Sequence, residues 1–122
     1  RHAGSVVAVE SNGLAAFDLR HNLTAADVDH TIIREPFESF EADGRWDLAV
    51  VDPPRQGLGE HGVSSVTRGE PRTIAYVACD PASLARDARH LADQGYSLDS
   101  ATPVDLFPQT FHIETVARFS RG

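Results

Sequence analysis

One cysteine, four acids and a histidine carry most of the chemistry this sequence offers. Cys79, the chain's single cysteine, ends the apolar run YVAC and directly precedes Asp80-Pro81. Glu10 closes SVVAVE, Glu35 closes DHTIIRE and Asp52 opens DPPR. His112 and Glu114 stand two apart in TFHIET, so strand alternation points them to one side. A thiolate is a nucleophile, and a carboxylate held beside an imidazole can take a proton from a substrate. The residue types therefore offer a candidate nucleophile and, separately, a candidate proton acceptor.

Each of these residues also has a plain structural use. Cys79 precedes a helix whose first N–H groups and positive dipole end favour a thiolate, yet free cysteine is often buried as an inert small hydrophobe. Acids at strand ends serve as caps and solvated turn residues. The two prolines after Asp52 hold its carboxylate in a rigid loop, or simply make an Asp-Pro turn. Arg55 pairs with a carboxylate or phosphate, or lies on the surface. Glu10 occupies the place after a strand where a carboxylate holds the ribose hydroxyls of nucleotide-type cofactors.

The elements that must position these residues follow from hydrophobic spacing. SVVAVE (5–10) reads as a buried strand and GLAAFDLRHNL (13–23) as a helix, through Leu14, Phe17 and Leu23. DHTIIRE (29–35) is a second strand, followed by a helical turn that begins at Pro36 and stops at Gly44. WDLAVVD (46–52) has four consecutive apolar residues, as expected of a parallel strand buried on both faces. Residues 53–71 predict a loop with one short helix, and RTIAYVAC (72–79) a fourth strand. Asp80 then stands as N-cap and Pro81 at the first helical position, with an apolar stripe of Leu84, Ala88 and Leu91 until Gly95. Residues 96–107 and 110–120 are extended runs joined so closely that they predict an antiparallel pair. The fold class is α/β: an open, doubly wound, mostly parallel sheet with a terminal antiparallel hairpin. In such a sheet ligands bind beyond the carboxyl ends of the strands, where Glu10, Glu35, Asp52 and Cys79 all stand.

Composition narrows the function classes. A length of 122 residues suits a single domain, and the opening RHAGSVVAVE with no Met in the chain reads as a piece cut from a longer protein. A single cysteine cannot form an internal disulfide, and no apolar run is long enough for a membrane span, so a cytoplasmic origin without membrane partners is expected. No residue cluster suggests a metal. The net charge is −7 and every basic side chain other than histidine is Arg, with no basic stripe of the kind that gathers a phosphate backbone.

Taken in order, VVAVE, VVDPPRQGL, YVACDPASLARDARHLADQGY and PVDLFPQTFHIETVARFSR resemble the carboxyl-terminal catalytic part of the bacterial RNA (uracil-5-)-methyltransferases. The resemblance implies a Rossmann-like class I methyltransferase sheet and S-adenosyl-L-methionine as cofactor. It implies methylation of C5 of uridine in ribosomal or transfer RNA. By motif, the family's nucleophile falls on Cys79 and its proton acceptor on Glu114. The ribose-binding acid matches Glu10, and Asp52 borders both cofactor and target base. The family's Asn or Asp beside the adenine is replaced by Glu35-Pro36, a departure that makes Glu35 the candidate there. Arg55 and His112 join Asp52 as candidates for contact with the target nucleotide. The family's Gly-rich cofactor loop, its RNA-binding domain and the iron-sulfur cysteine cluster of some members would lie upstream of this sequence.

Two other readings compete. An amino-methyltransferase usually follows its Pro-Pro motif with a base-stacking aromatic, where this chain has Arg55, and it has no use for a thiol. A non-enzymatic docking or assembly module is the third reading. Without the strand that bears the Gly-rich loop, the strands ending in Glu10 and Asp52 would each present an open edge, so self-association is expected.

Overall fold

A computed structural model of the chain describes residues 6–9, 30–33, 45–104 and 114–122. The chain divides into two compact units, residues 1–40 and 41–122. In the first, β1 (Val6–Val9) and β2 (His30–Ile33) pair in parallel from Val6 with His30 to Val9 with Ile33. Both lie inside the strands expected from the apolar runs. Parallel neighbours need a crossover between them, and residues 10–29 are long enough to supply one.

Among the described residues, the second unit is a four-stranded sheet with two helices. In chain order it contains β3 (Leu48–Val51), α1 (Gly59–Thr67), β4 (Thr73–Ala78), α2 (Pro81–Asp93), β5 (Tyr96–Val104) and β6 (Glu114–Arg121). The strands lie in the order β3-β4-β6-β5, with β3 parallel to β4 and β6 antiparallel to both β4 and β5. The antiparallel hairpin is thus present, and its second strand is inserted beside β4 rather than left at the edge. A register shift between Leu98 and Ser100 puts a bulge in β5.

Alternation along the strands sets the core. Ile74, Tyr76 and Ala78 of β4 and Ala117 and Phe119 of β6 are buried on the side of the helices. Val63 and Val66 of α1 and Leu91 of α2 complete this layer. The rings of Tyr76 and Phe119 pack tilted at 60°, with centroids 6.4 Å apart.

Two expectations are corrected. β3 is not buried on both faces: Val51 is buried, but Leu48 is 54% and Val50 65% exposed. Its apolar run reads as doubly covered, whereas the helices among the described residues cover one side of the sheet. The inner face of α2 is not the apolar stripe of Leu84, Ala88 and Leu91 alone. Ser83, Asp87 and Leu91, spaced four apart, are its buried residues, while Leu84 and Ala88 are half-buried. No helix among the described residues is long and apolar enough to cross a membrane.

Candidate functional site

Parallel strands β3 and β4 end at the same edge of the sheet, and β6 begins there. Val51, the last residue of β3, pairs with Tyr76 of β4, and Asp52 follows as an exposed residue. Ala78, the last residue of β4, pairs with Thr115 of β6. Cys79 comes one step after Ala78 and Glu114 one step before Thr115, so in antiparallel strands they occupy neighbouring positions at the end of the ladder. Extending the alternation one residue past β3 and β4 puts Asp52 and Cys79 on the face opposite the helices, with Val50 and Val77, the same face that Glu114 shares with Val116 in β6.

Cys79 is exposed and free, so of its two sequence readings the buried hydrophobe is excluded. Glu114 is half-buried and pairs with Val104 of β5 on its other side. Its Oε2 is buried without a hydrogen-bond partner. A buried acceptor left unpaired is costly, so the oxygen calls for a partner such as water, an ion or a bound molecule.

The residue after Cys79 opens α2. Asp80, in extended conformation, accepts from the Ser83 backbone N–H at 3.1 Å, with Pro81 at the first helical position. The Ser83 hydroxyl, followed by its N–H, holds the Asp80 carboxyl below the usual carboxylate range. That hydroxyl lies 2.7 Å from both Asp80 Oδ2 and the Arg55 carbonyl, and its single proton serves one of them at a time. The turn carrying Cys79 is therefore bonded, through Asp80 and Ser83, to the loop carrying Asp52 and Arg55. Arg55 itself is exposed.

The feature that sequence reasoning missed is Asp87, with 0% exposure. Its carboxylate accepts from the backbone N–H of Leu58 at 2.6 Å and of Gly59 at 3.0 Å, and from the Tyr76 hydroxyl. Leu58 is the N-cap of α1 and has no side chain able to cap, so Asp87 supplies the cap from another helix. Helix α1, GEHGVSSVT, is composed of poor helix formers apart from Glu60 and, at nine residues, would not persist alone. The signal available in the sequence was a charge at a position four residues from Ser83 and Leu91 on one helix face.

Glu10, Glu35 and His112 lie outside the described residues. Among the described residues no group of His, Cys, Asp and Glu is arranged to hold a metal. The structure thus brings together Cys79, Glu114 and Asp52 at one sheet edge, with Arg55 on the loop beside them.

A sequence profile of the tRNA (Uracil-5-)-methyltransferase family matches residues 39–121. An uncharacterized RNA methyltransferase of Chlorobaculum tepidum is 35% identical over 130 residues, covering 100% of this chain and 27% of that protein. Another from Streptomyces coelicolor is 42% identical over 117 residues, covering 93% and 25%. The chain therefore spans about a quarter of the length of these curated relatives. Among solved structures, the tRNA (uracil-54, C5)-methyltransferase of Pyrococcus abyssi, in complex with S-adenosyl-L-homocysteine, superposes with a TM-score of 0.80 at 34% identity. That superposition covers 94% of this chain and 28% of the Pyrococcus protein. Magnesium protoporphyrin IX methyltransferase of Synechocystis superposes with a TM-score of 0.73 at 9% identity, covering 97% and 64%, a likeness of fold alone. With the profile covering more than half of its length, the chain belongs to the tRNA (Uracil-5-)-methyltransferase family.

Proposed function

We propose that residues 1–122 are part of the catalytic domain of a cytoplasmic enzyme that converts uridine in transfer or ribosomal RNA to 5-methyluridine. The observation that carries this reading is the adjacency of an exposed thiol, Cys79, and a carboxylate with an unpaired buried oxygen, Glu114. C5 of uracil is a weak nucleophile. Addition of the Cys79 thiolate to C6 pushes electron density to C5 and O4, which prepares C5 to accept a methyl group. S-adenosylmethionine supplies that electrophilic methyl.

The adduct that follows still carries the C5 proton. Glu114 accepts it, the C5–C6 double bond re-forms, and the thiolate leaves with its electron pair. The two groups act on adjacent ring carbons, so they must lie close in space, and Cys79 follows β4 directly while Glu114 opens its hydrogen-bonded neighbour β6. Because the pyrimidine is stacked in RNA, it must turn out of the stack to reach Cys79.

The described residues fit the cofactor in part. Asp52 is an exposed carboxylate at the end of a parallel strand, able to accept hydrogen bonds from a cationic or hydroxyl-bearing ligand. Glu10 and Glu35 are assigned to the cofactor, and Arg55 and His112 to the RNA, by their motifs. Self-association belongs to the same proposal: β3 has one paired neighbour among the described strands and exposes Leu48 and Val50.

The test is methyl transfer by the full-length protein from labelled S-adenosylmethionine to RNA transcripts, with nucleoside analysis of the product. The expected product is 5-methyluridine. Methylation of an exocyclic amine, or no methylation of either RNA class, contradicts the proposal.

A further inference from the structure

We infer that Ser83, Arg86 and Asp87 of α2 are positioning residues that clamp the backbone of the loop after Asp52 and so fix Asp52 and Arg55 relative to Cys79. Three side chains of one helix face meet four backbone groups of residues 55–59. Ser83 lies 2.7 Å from the Arg55 carbonyl, and the Arg86 guanidinium donates to the Gln56 carbonyl. Asp87 accepts from the Leu58 and Gly59 N–H groups. Acceptors on the loop meet donors on the helix, and donors on the loop meet the one carboxylate, so the match reads backbone polarity in order.

The loop is built to be read this way. Gly57 adopts φ +79°, and a Cβ there would stand 2.5 Å from Asp87 Oδ2, 2.8 Å from the Arg86 guanidinium and 3.1 Å from the Ser83 Cβ. All three clamp residues therefore close on the position where the loop has no side chain. The Gly57 N–H donates to the Pro54 carbonyl at 2.8 Å, tightening the turn that presents Arg55. Asp80, the N-cap of α2, immediately follows Cys79 and shares Ser83 with Arg55. Nucleophile turn and loop are thus two ends of one rigid connection. The role of that connection in turnover rests on the proposed uridine chemistry, in which small displacements of reacting groups cost rate more than affinity.

The test uses the full-length protein with Asp87→Asn and Ser83→Ala. The first-turn amides of a helix have no intrahelical partner, so protection from hydrogen exchange at Leu58 and Gly59 reports the clamp itself. In Asp87→Asn those two amides are expected to exchange about tenfold faster or more, with β4 amides unchanged, as befits loss of bonds to a charged acceptor. On an RNA transcript that the wild type methylates, kcat is expected to fall about tenfold or more while KM for RNA stays within about threefold. Ser83→Ala shows the same split of kcat from KM at smaller amplitude, and it decides alone if Asp87→Asn does not fold. Unchanged exchange at Leu58 and Gly59, equal loss of protection in β4, or a change confined to KM overturns the inference. A wild-type protein that methylates no uridine refutes the proposed function instead, and the exchange experiment then decides the clamp independently.

Discussion

The Tyr76 hydroxyl donates to Asp87, and the two residues are 1% and 0% exposed, so the sheet and α2 are joined by a hydrogen bond inside the core. Tyr76 lies on β4, whose last residue precedes Cys79, and Asp87 caps α1 at the far end of the loop from Asp52. One buried carboxylate thereby ties three elements around the candidate site. Replacing Tyr76 by Phe keeps the ring and leaves the carboxylate short of a donor. The expected loss is about 1–3 kcal/mol of stability, measured by urea unfolding.

Alkaline pH tests the same contact. Burial, then the hydrogen bond and charge of Asp87, push the Tyr76 hydroxyl well above its ordinary value of 10.0. Burial also raises Tyr96, which donates to the Pro71 carbonyl at 2.6 Å. A raised folded-state value means stability is complete below pH 10.0, where the unfolded chain begins to ionise, and declines as pH rises through the folded-state value. Both tyrosines of the chain should therefore resist ionisation above pH 10 until unfolding, followed by the ultraviolet absorbance of tyrosinate.

Asp80 acts in the opposite range. Its carboxyl is held low by Ser83, so its contribution is present above the ordinary carboxylate value of 3.8 and is lost as pH falls through the depressed one. Asp80→Asn keeps a capping oxygen and removes the charge. The stability gap between wild type and this variant should persist at neutral pH and close only in strong acid, as followed by denaturant unfolding across pH.

Gly57 and Gly59 form a controlled comparison. Both have positive φ, +79° and +73°, but a Cβ at Gly59 meets nothing within 4 Å. Gly59→Ala should cost only the backbone strain, about 1–2 kcal/mol. Gly57→Ala adds the contacts with Asp87 and Arg86 and should cost clearly more, seen as a lower urea midpoint.

Much of this fold was legible in the chain's apolar rhythm. TIAYVA alternates as a half-buried strand should, and Asp80-Pro81 marks a helix start by cap chemistry and fixed φ. The closeness of the two extended runs in sequence predicts an antiparallel pair, and β5 and β6 are antiparallel. Asp87 was not legible, because a charged residue on a helix ordinarily faces water, and its partners are backbone N–H groups 28 and 29 residues away. The half-exposed face of β3 was hidden for a related reason: Leu48 and Val50 tell of apolarity, not of which side the helices cover. The adjacency of Cys79 and Glu114 depends on β6 inserting beside β4, which no local pattern encodes.

Glu114→Gln separates the two halves of the proposed cycle. The amide cannot accept the C5 proton, so turnover should drop by about 10²–10⁴-fold. Attack by Cys79 is untouched, and a covalent RNA–protein species with ordinary uridine should accumulate on a denaturing gel.

The most direct measurement incubates the full-length protein with S-adenosylmethionine and RNA containing 5-fluorouridine, then seeks a stable adduct. Fluorine at C5 cannot leave as a proton does, so the thioether to C6 is trapped. The expected result is a covalent complex whose RNA-linked peptide contains Cys79 and which disappears in Cys79→Ser. An active enzyme that forms no such complex, or forms it equally well in Cys79→Ser, contradicts the account.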